Sequence, residues 1–185
     1  MRESNKVRVV GGVWRGRLLT FPNVTALRPT PDRVRETLFN WLGQTLQGLR
    51  CLDLFCGSGA LGFEAASRGA EEVVLVDSSL EVEKATENNL QRLAAKNIHF
   101  TRQTAETFLS QNQKKFDVVF LDPPFRTALL TMALEQLPKH LSRNSRIYVE
   151  SSGLPGIPSD YVEIKRGKAG QVTYMLLEFV SNNEH

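Results

Sequence analysis

Short apolar runs alternate with amphipathic segments along most of this 185-residue chain. The runs Val73–Val76 and Val118–Leu121 are continuously apolar, which is typical of parallel strands that are buried on both faces. Only residues 167–170 separate the last two apolar runs, so we expect them to pair as an antiparallel hairpin. We predict strands near residues 50–55, 72–77, 97–101, 116–121, 145–151, 160–166 and 171–180, and helices near 59–69, 79–95, 104–112 and 126–139. The pattern therefore predicts a Rossmann-like α/β fold, with a doubly wound, mostly parallel seven-stranded sheet that ends in an antiparallel C-terminal hairpin.

A hairpin and a helix are predicted ahead of this alternation. Apolar and charged positions alternate across residues 7–21 on either side of Gly11-Gly12, which indicates a β-hairpin. Thr30 and Pro31 are typical of a helix start, with the Thr30 hydroxyl as its cap, and Gly43 is typical of a helix end. We therefore divide the chain into an N-terminal extension of residues 1–48 and a single compact domain of residues 49–185.

Net charge is unevenly distributed along the chain. Residues 1–50 carry nine Lys or Arg against three Asp or Glu, whereas residues 51–185 carry fourteen against seventeen. This asymmetry predicts that the N-terminal extension contacts a polyanion such as RNA. The Trp14 ring can stack on a base or anchor the hairpin, and the sequence leaves both roles open. The arginines that we expect to contact phosphates are Arg8, Arg15, Arg17, Arg28, Arg33 and Arg35.

The composition argues against membrane, secreted and metal-binding proteins. No apolar stretch approaches the ~18 residues of a membrane span, and the first residues lack the apolar core of a signal peptide. Cys51 and Cys56 lie in or beside one predicted buried strand, and the three histidines are scattered, so the sequence shows no zinc cluster. We expect a cytoplasmic, monomeric protein that binds neither a membrane nor a metal.

A glycine-rich turn, Gly57-Ser-Gly-Ala-Leu-Gly62, follows the first predicted strand of the sheet. It matches the dinucleotide-binding pattern, in which glycines let the backbone approach a ligand at a helix N-terminus. Asp77 lies about twenty residues farther on, where a carboxylate can bind two ribose hydroxyls. The Asp53 carboxylate would repel a pyrophosphate but would attract the ammonium and sulfonium groups of S-adenosylmethionine. The turn therefore favours S-adenosylmethionine over NAD as the cofactor.

A second turn, Asp122-Pro-Pro-Phe125, follows another predicted buried strand. The two prolines fix the backbone and donate no N–H, which leaves nearby carbonyl groups as acceptors. Asp122 and such a carbonyl can accept both N–H hydrogens of an amino group on a planar ring, and Phe125 can stack on that ring. Asp122 could also take the proton that the methylated amine must lose. The two turns together predict methyl transfer to an exocyclic nitrogen.

These motifs and the N-terminal segments are together similar to one family. Residues 7–17, 27–42, 57–62, 122–125 and 169–174 resemble the RsmD family, class I S-adenosylmethionine-dependent methyltransferases that methylate the exocyclic N2 of a guanine in bacterial 16S ribosomal RNA. Residues 28–42 are the most specific part, because many amino-methyltransferases share the other motifs. The resemblance covers nearly the whole chain and implies small-subunit ribosomal RNA as the substrate, either free or within a partly assembled particle.

The resemblance also implies a role for each motif. Asp53, Gly57 and Gly59 would line the methionine part of the cofactor, and Asp77 would hold its ribose. Residues 28–30, with Thr30 among the cofactor contacts, would cover the cofactor site and meet the substrate. The adenine would lie beside Ala105 and Glu106, and the target guanine would be held by Asp122, Pro123, Pro124 and Phe125.

Three other functions remain open from the residues alone. The enzyme could methylate a different amino nitrogen, on DNA adenine or on a protein glutamine. The chain could instead be a non-catalytic RNA-binding assembly factor, although the acids Asp53, Asp77 and Asp122 argue against this. An NAD-dependent oxidoreductase is the remaining alternative.

Overall fold

The computed structural model describes residues 5–24, 27–124, 128–153 and 155–180. The first elements are β1 (Asn5–Arg8), β2 (Leu18–Phe21) and α1 (Asp32–Leu42). The strands that follow are β3 (Arg50–Asp53), β4 (Glu72–Asp77), β5 (Ile98–Arg102), β6 (Phe116–Leu121), β7 (Leu141–Ser151), β8 (Tyr161–Ala169) and β9 (Val172–Phe179). The helices between these strands are α2 (Ala60–Ser67), α3 (Leu80–Leu93), α4 (Ala105–Gln111) and α5 (Leu129–Gln136), which a short 3-10 helix, Leu137–His140, extends.

The main sheet has seven strands in the order β5-β4-β3-β6-β7-β9-β8. β3 pairs in parallel with both β4 and β6, and β9 pairs antiparallel with both β7 and β8. The predicted doubly wound sheet with a C-terminal hairpin is therefore confirmed. The strand order reverses between β3 and β6, and ligands of such sheets bind beyond the carboxyl ends of the strands at this point.

Helices cover both faces of the main sheet. Along β4, Val73 and Leu75 belong to one hydrophobic cluster, and Val74 and Val76 belong to the other. The first cluster also contains side chains of β1, β2, α1 and α2, and the second contains side chains of α4 and α5. Burial on both faces explains the continuously apolar strands. Among the described residues, no helix is both long enough and apolar enough to cross a membrane.

The N-terminal hairpin forms, but its strands are shorter than the sequence predicts. β1 and β2 pair antiparallel along their whole length, and residues 9–17 connect them as a long loop instead of a tight turn at Gly11-Gly12. This loop lies against the end of α2, where the Val13 N–H donates to the Ser67 carbonyl (2.8 Å) and the Trp14 N–H donates to Ser67 Oγ (2.9 Å). Backbone hydrogen bonds therefore hold the hairpin on the compact domain.

Helix α1 begins without the predicted Thr30 cap. Pro31 precedes the first helical residue, and no side chain accepts a hydrogen bond from the helix start. The Thr30 hydroxyl instead donates to Glu150 Oε1 (2.6 Å), which lies in β7. The prediction of a Thr30 cap is therefore wrong, whereas Gly43 ends the helix as predicted.

A buried guanidinium, that of Arg35 in α1, joins the N-terminal extension to the compact domain. The Arg35 side chain is fully buried. Its Nε donates to the Thr30 carbonyl (3.0 Å), and its Nη1 donates to the Arg8 carbonyl (2.7 Å). It also forms ion pairs with Asp32 (2.5 Å) and Glu64 (3.2 Å). One cation thus ties together the hairpin, the loop before α1, α1 itself and α2.

The partner of Arg35 in the compact domain is the Glu64 carboxylate in α2. It is fully buried, and its Oε2 accepts from the Val10 N–H (2.9 Å) as well as from Arg35. Its Oε1 accepts from Arg68 Nε (2.9 Å). Buried charges are tolerated when ion pairs and hydrogen bonds replace their hydration, and both oxygens of Glu64 meet this condition.

Replacing Arg35 should destabilise the whole fold. We expect Arg35→Ala to lower the free energy of unfolding by about 3–5 kcal/mol, because it removes a cation that compensates the buried Glu64 carboxylate. Chemical denaturation measures the change. Arg33→Ala, an exposed arginine of the same helix, is the matched control and should change the free energy by less than about 0.5 kcal/mol. Equal stabilities of the two variants would contradict this role of Arg35.

Candidate functional site

A cavity of about 960 Å³ lies at the carboxyl ends of β3, β4 and β6. It therefore lies where the strand order reverses, and its volume is within the ~300–1,000 Å³ of small-molecule sites. Its wall contains residues 27–31, 53–58, 60–61, 77–78, 103–106 and 122–124, with Leu129, Glu150 and Val172.

Most of the predicted site residues line this cavity, and the fold brings the two motif turns together at its wall. Gly59 belongs to the first turn but not to the cavity wall, and Phe125 lies outside the described residues. The predicted residues that line the cavity are Arg28, Thr30, Asp53, Gly57, Asp77, Ala105, Glu106, Asp122, Pro123 and Pro124.

The glycine turn connects β3 to α2 and fixes Asp77 beside it. Gly59 has a φ of 75°, a left-handed conformation that favours glycine, and α2 begins directly after it. The Gly57 N–H donates to Asp77 Oδ2 (3.1 Å), and the Ser79 N–H donates to Asp77 Oδ1 (2.9 Å). A carboxylate can accept about four hydrogen bonds, so Asp77 keeps the capacity to accept from ligand hydroxyls.

Asp53 ends β3 and contacts the first turns of α2. Its Oδ2 accepts from the Gly62 N–H (3.0 Å). A Cβ at Gly62 would lie 2.1 Å from Leu75 Cδ2, so glycine is what allows α2 to pack this closely on β4. Burial raises the pKa of Asp53 to about 7; the charges of Asp77 and Glu150 add to this increase, and the Gly62 N–H opposes it. A cationic ligand group beside Asp53 would favour its ionised form, so this carboxyl suits a cation and not a phosphate.

The acid of the second turn lies beside another acid. Asp122 follows β6, and Glu150 lies near the carboxyl end of the adjacent strand β7. The two side chains share a hydrogen bond. Burial, and then the negative charge of Glu150, raise the pKa of Asp122 well above its ordinary value. One proton therefore lies between these two carboxyl groups.

Glu150 is the functional candidate that sequence reasoning missed. It is 6% exposed, and its Oε1 accepts hydrogen bonds from the hydroxyls of Thr30 (2.6 Å) and Tyr148 (2.8 Å). Its place at the carboxyl end of a predicted strand, the criterion that selected the other three acids, could have identified it.

The predicted RNA contacts differ in exposure. Arg35 is fully buried, so the prediction that it contacts a phosphate is wrong; its guanidinium is held by carboxylates and carbonyl groups inside the protein. Trp14 is half-buried and packs on Phe63, with 6.4 Å between the ring centroids, which favours its role as the anchor of the hairpin. The exposed members of the set are Arg8, Arg15, Arg17, Arg28 and Arg33.

Comparisons with known proteins show similarity over nearly the whole chain. The family model for Conserved hypothetical protein 95 matches residues 7–178. The ribosomal RNA small subunit methyltransferase D of Escherichia coli strain K12 is 42% identical over 186 residues, which cover 98% of this chain and 94% of that protein. The protein of the same name from Haemophilus influenzae is 42% identical over 183 residues, which cover 95% of each chain. The solved structure of the Escherichia coli protein yhhF has a TM-score of 0.88 and 42% identity, and the match covers 96% of this chain and 100% of that one.

The titration of Asp53 should control the binding of S-adenosylmethionine, the cofactor that the sequence predicts. Below a pH of about 7 this carboxyl is protonated and neutral, and above it the carboxylate attracts a cation. We therefore expect the dissociation constant to rise about tenfold as the pH falls from about 8 to about 6, and Asp53→Asn to remove most of that change. Calorimetry across this range measures it.

A matched control for this titration is Asp117→Asn, which replaces an acid near the amino end of β6, away from the cavity. This variant should keep the pH dependence of the wild type. A wild-type affinity that does not change with pH would contradict the proposed charge on Asp53.

Proposed function

This chain belongs to the RsmD family of methyltransferases, described as Conserved hypothetical protein 95, and from this premise we propose that it methylates small-subunit ribosomal RNA. The methyl donor is S-adenosylmethionine, and the acceptor is the exocyclic N2 of a guanine in 16S ribosomal RNA. The observation that carries the proposal is a single cavity in which a cation-favouring acid, Asp53, and the acceptor acid, Asp122, line the same wall.

The residues around the glycine turn fit S-adenosylmethionine. When bound, this cofactor supplies an electrophilic methyl group on a sulfonium. Asp77, held by two backbone N–H groups, is placed to accept from the ribose hydroxyls, and Asp53 favours the positively charged methionine part. Ala105 and Glu106 at the start of α4 form the part of the wall that would lie beside the adenine.

The second turn fits an exocyclic amine. Asp122 can accept one N–H of the guanine amine, and a backbone carbonyl of the turn can accept the other. Pro123 and Pro124 also line the cavity and donate no N–H, so the turn presents acceptors. Such contacts orient the nitrogen lone pair toward the methyl group, and positioning of this kind accounts for much of the catalysis in group transfer.

The exposed arginines of the N-terminal extension provide the RNA-binding surface. Arg28 lines the cavity, and Arg8, Arg15, Arg17 and Arg33 are exposed on the hairpin and α1. A guanine within an RNA fold must be extruded to reach Asp122, at a cost of a few kcal/mol. Contacts with the surrounding phosphates offset that cost. A monomer that acts in the cytoplasm on a partly assembled small subunit is consistent with this arrangement.

Substitution of Asp122 tests the reaction directly. Purified wild-type protein should transfer a labelled methyl group from S-adenosylmethionine to small-subunit RNA or particles from a strain that lacks the enzyme. Asp122→Ala should slow transfer by at least about 100-fold, because it removes both an amine acceptor and a proton acceptor. Cofactor affinity, measured by calorimetry, should remain nearly unchanged, and Glu87→Ala on the exposed side of α3 should behave as the wild type.

The same experiment separates the competing functions. Mass spectrometry of the labelled nucleosides should identify N2-methylguanosine. Label on DNA adenine or on protein glutamine instead would refute the choice of acceptor. Intact cofactor binding with no labelled substrate, or the absence of cofactor binding, would refute the proposed enzyme and favour a non-catalytic RNA-binding factor.

Substitution of exposed arginines tests the RNA-binding surface. Arg15→Ala and Arg33→Ala should each weaken RNA binding and reduce the slope of log affinity against log salt by about 0.7–0.9, because each phosphate contact releases counterions. Fluorescence anisotropy at several salt concentrations measures this slope. The control Arg143→Ala removes an exposed arginine at the amino end of β7 and should leave the slope unchanged. Equal slopes for all three variants would contradict the proposed surface.

A further inference from the structure

The pairing of Asp122 with Glu150 follows from the register of the sheet. β6 and β7 are parallel, and Leu121 lies opposite Val149, so Asp122 and Glu150 occupy the next matching positions. Both line the cavity, and their carboxyl groups share a hydrogen bond. Two ionised carboxylates cannot make such a bond, because neither has a proton to donate.

The other contacts of Glu150 assign that proton to Asp122. Glu150 Oε1 accepts from Thr30 Oγ1 (2.6 Å) and from the Tyr148 hydroxyl (2.8 Å). Burial raises the pKa of Tyr148, so its hydroxyl stays protonated and donates. Hydrogen bonds from two hydroxyls to one oxygen stabilise an ionised carboxylate, so Glu150 is the anion and Asp122 is the neutral acid.

The groups around the pair keep it at a single negative charge. The negative charges of neighbouring acids disfavour the loss of the one proton that remains on the pair, and Arg28 places one positive charge in the cavity wall. Among the described residues, the other titratable groups that face the pair or its cavity are Asp53 of β3, Cys56 after β3, Asp77 of β4, Glu106 of α4, Tyr148 of β7 and Tyr174 of β9.

Resting on the function proposed above, we propose that Glu150 is a positioning residue that holds the Asp122 proton before methyl transfer and takes it over afterwards. A protonated Asp122 donates to Glu150 through one oxygen and keeps the other as a neutral acceptor for the amine N–H. The free oxygen of the protonated Asp122 is then a neutral acceptor, as the amide oxygen of an asparagine would be at this position. Glu150 is the group that keeps Asp122 in this neutral form.

The proton moves along this pair when the amine is methylated. As the nitrogen forms its bond to the methyl group, the bond from that methyl group to the sulfonium sulfur breaks and its electron pair stays on sulfur. One N–H bond then breaks, and its electron pair stays on nitrogen. That proton passes to the acceptor oxygen of Asp122, and the proton already on Asp122 passes to Glu150. The pair changes from one negative charge to neutral, which balances the positive charge that arrives with the methyl group.

Infrared difference spectroscopy of the cofactor-free protein tests the resting state. The wild type should show, at neutral pH, a protonated carboxyl band that Asp122→Asn removes. In Glu150→Gln burial still favours the neutral form of Asp122 but the charge of Glu150 no longer does, so the band should be lost at a lower pH than in the wild type. A wild type without this band, or a Glu150→Gln variant that loses it at the same pH as the wild type, would overturn the proposal.

Single-turnover kinetics test the transfer itself. Glu150→Gln should slow methyl transfer by on the order of 100-fold at neutral pH, because Asp122 then has no second carboxylate to which it can pass its proton. The KM for RNA and the cofactor affinity should stay within about twofold. Glu163→Gln, in the strand β8, is the control and should keep the wild-type rate. An unchanged rate in Glu150→Gln would overturn the proposal.

A second variant removes a hydrogen bond to Glu150 Oε1 and keeps the charge of Glu150. Tyr148→Phe deletes a donor to Glu150 Oε1, so Glu150 should bind a proton more readily and the acid limb of the pH–rate profile should move to higher pH. An acid limb that stays in place or moves to lower pH in Tyr148→Phe would overturn the proposal. The infrared measurement needs no methyl transfer: an inactive wild type would refute the proposed function, whereas an active wild type without the band would refute only this inference.

Discussion

The buried guanidinium of Arg35 is the interaction on which the arrangement of this protein depends. A charge without hydration is stable only when ion pairs and hydrogen bonds replace the lost water. Arg35 obtains these partners from the hairpin, from the loop before α1, from α1 and from α2, through Arg8, Thr30, Asp32 and Glu64. Movement of any one of these elements would remove a partner from a buried charge, so the four elements keep their positions together. The N-terminal extension is thereby a fixed part of the wall of the cavity.

Thr30 connects this network to the acceptor site. Its carbonyl accepts from Arg35, and its hydroxyl donates to Glu150, which is bonded to Asp122. The hydroxyl that would cap a helix in isolation is used in a contact between elements 120 positions apart in the sequence. Residues 27–31 of the cavity wall and the acid pair are therefore positioned by one residue, and a displacement of this segment would alter the environment of the pair.

Four acids meet at one edge of the sheet, because parallel strands place their carboxyl ends side by side. Asp53, Asp77, Asp122 and Glu150 all line the cavity. Their combined negative potential favours a cationic cofactor and retains a proton on the Asp122–Glu150 pair, but it opposes the approach of a polyanion. Arg28 supplies a positive charge in the cavity wall, and the other exposed arginines lie on the hairpin and α1. We infer that an acidic cavity, together with basic residues on the N-terminal segments, is what lets one small protein accommodate both a cationic methyl donor and RNA.

The succession of strands and helices along the chain, the two motif turns and the basic extension could be predicted because each depends on residues that are near one another in the sequence. Hydrophobic periodicity, glycine and proline chemistry and local charge need no knowledge of the packing. Arg33 and Arg35, two positions apart in the same helix, show the limit of such reasoning: one is exposed and the other is fully buried, and the packing of α1 against α2 decides which. The roles of Thr30 and Glu150 likewise depend on partners in distant elements. The sequence by itself determined the fold and the chemistry at the sheet edge, whereas the tertiary structure decided which charges are buried, paired or protonated, because desolvation depends on what the whole chain places around each group.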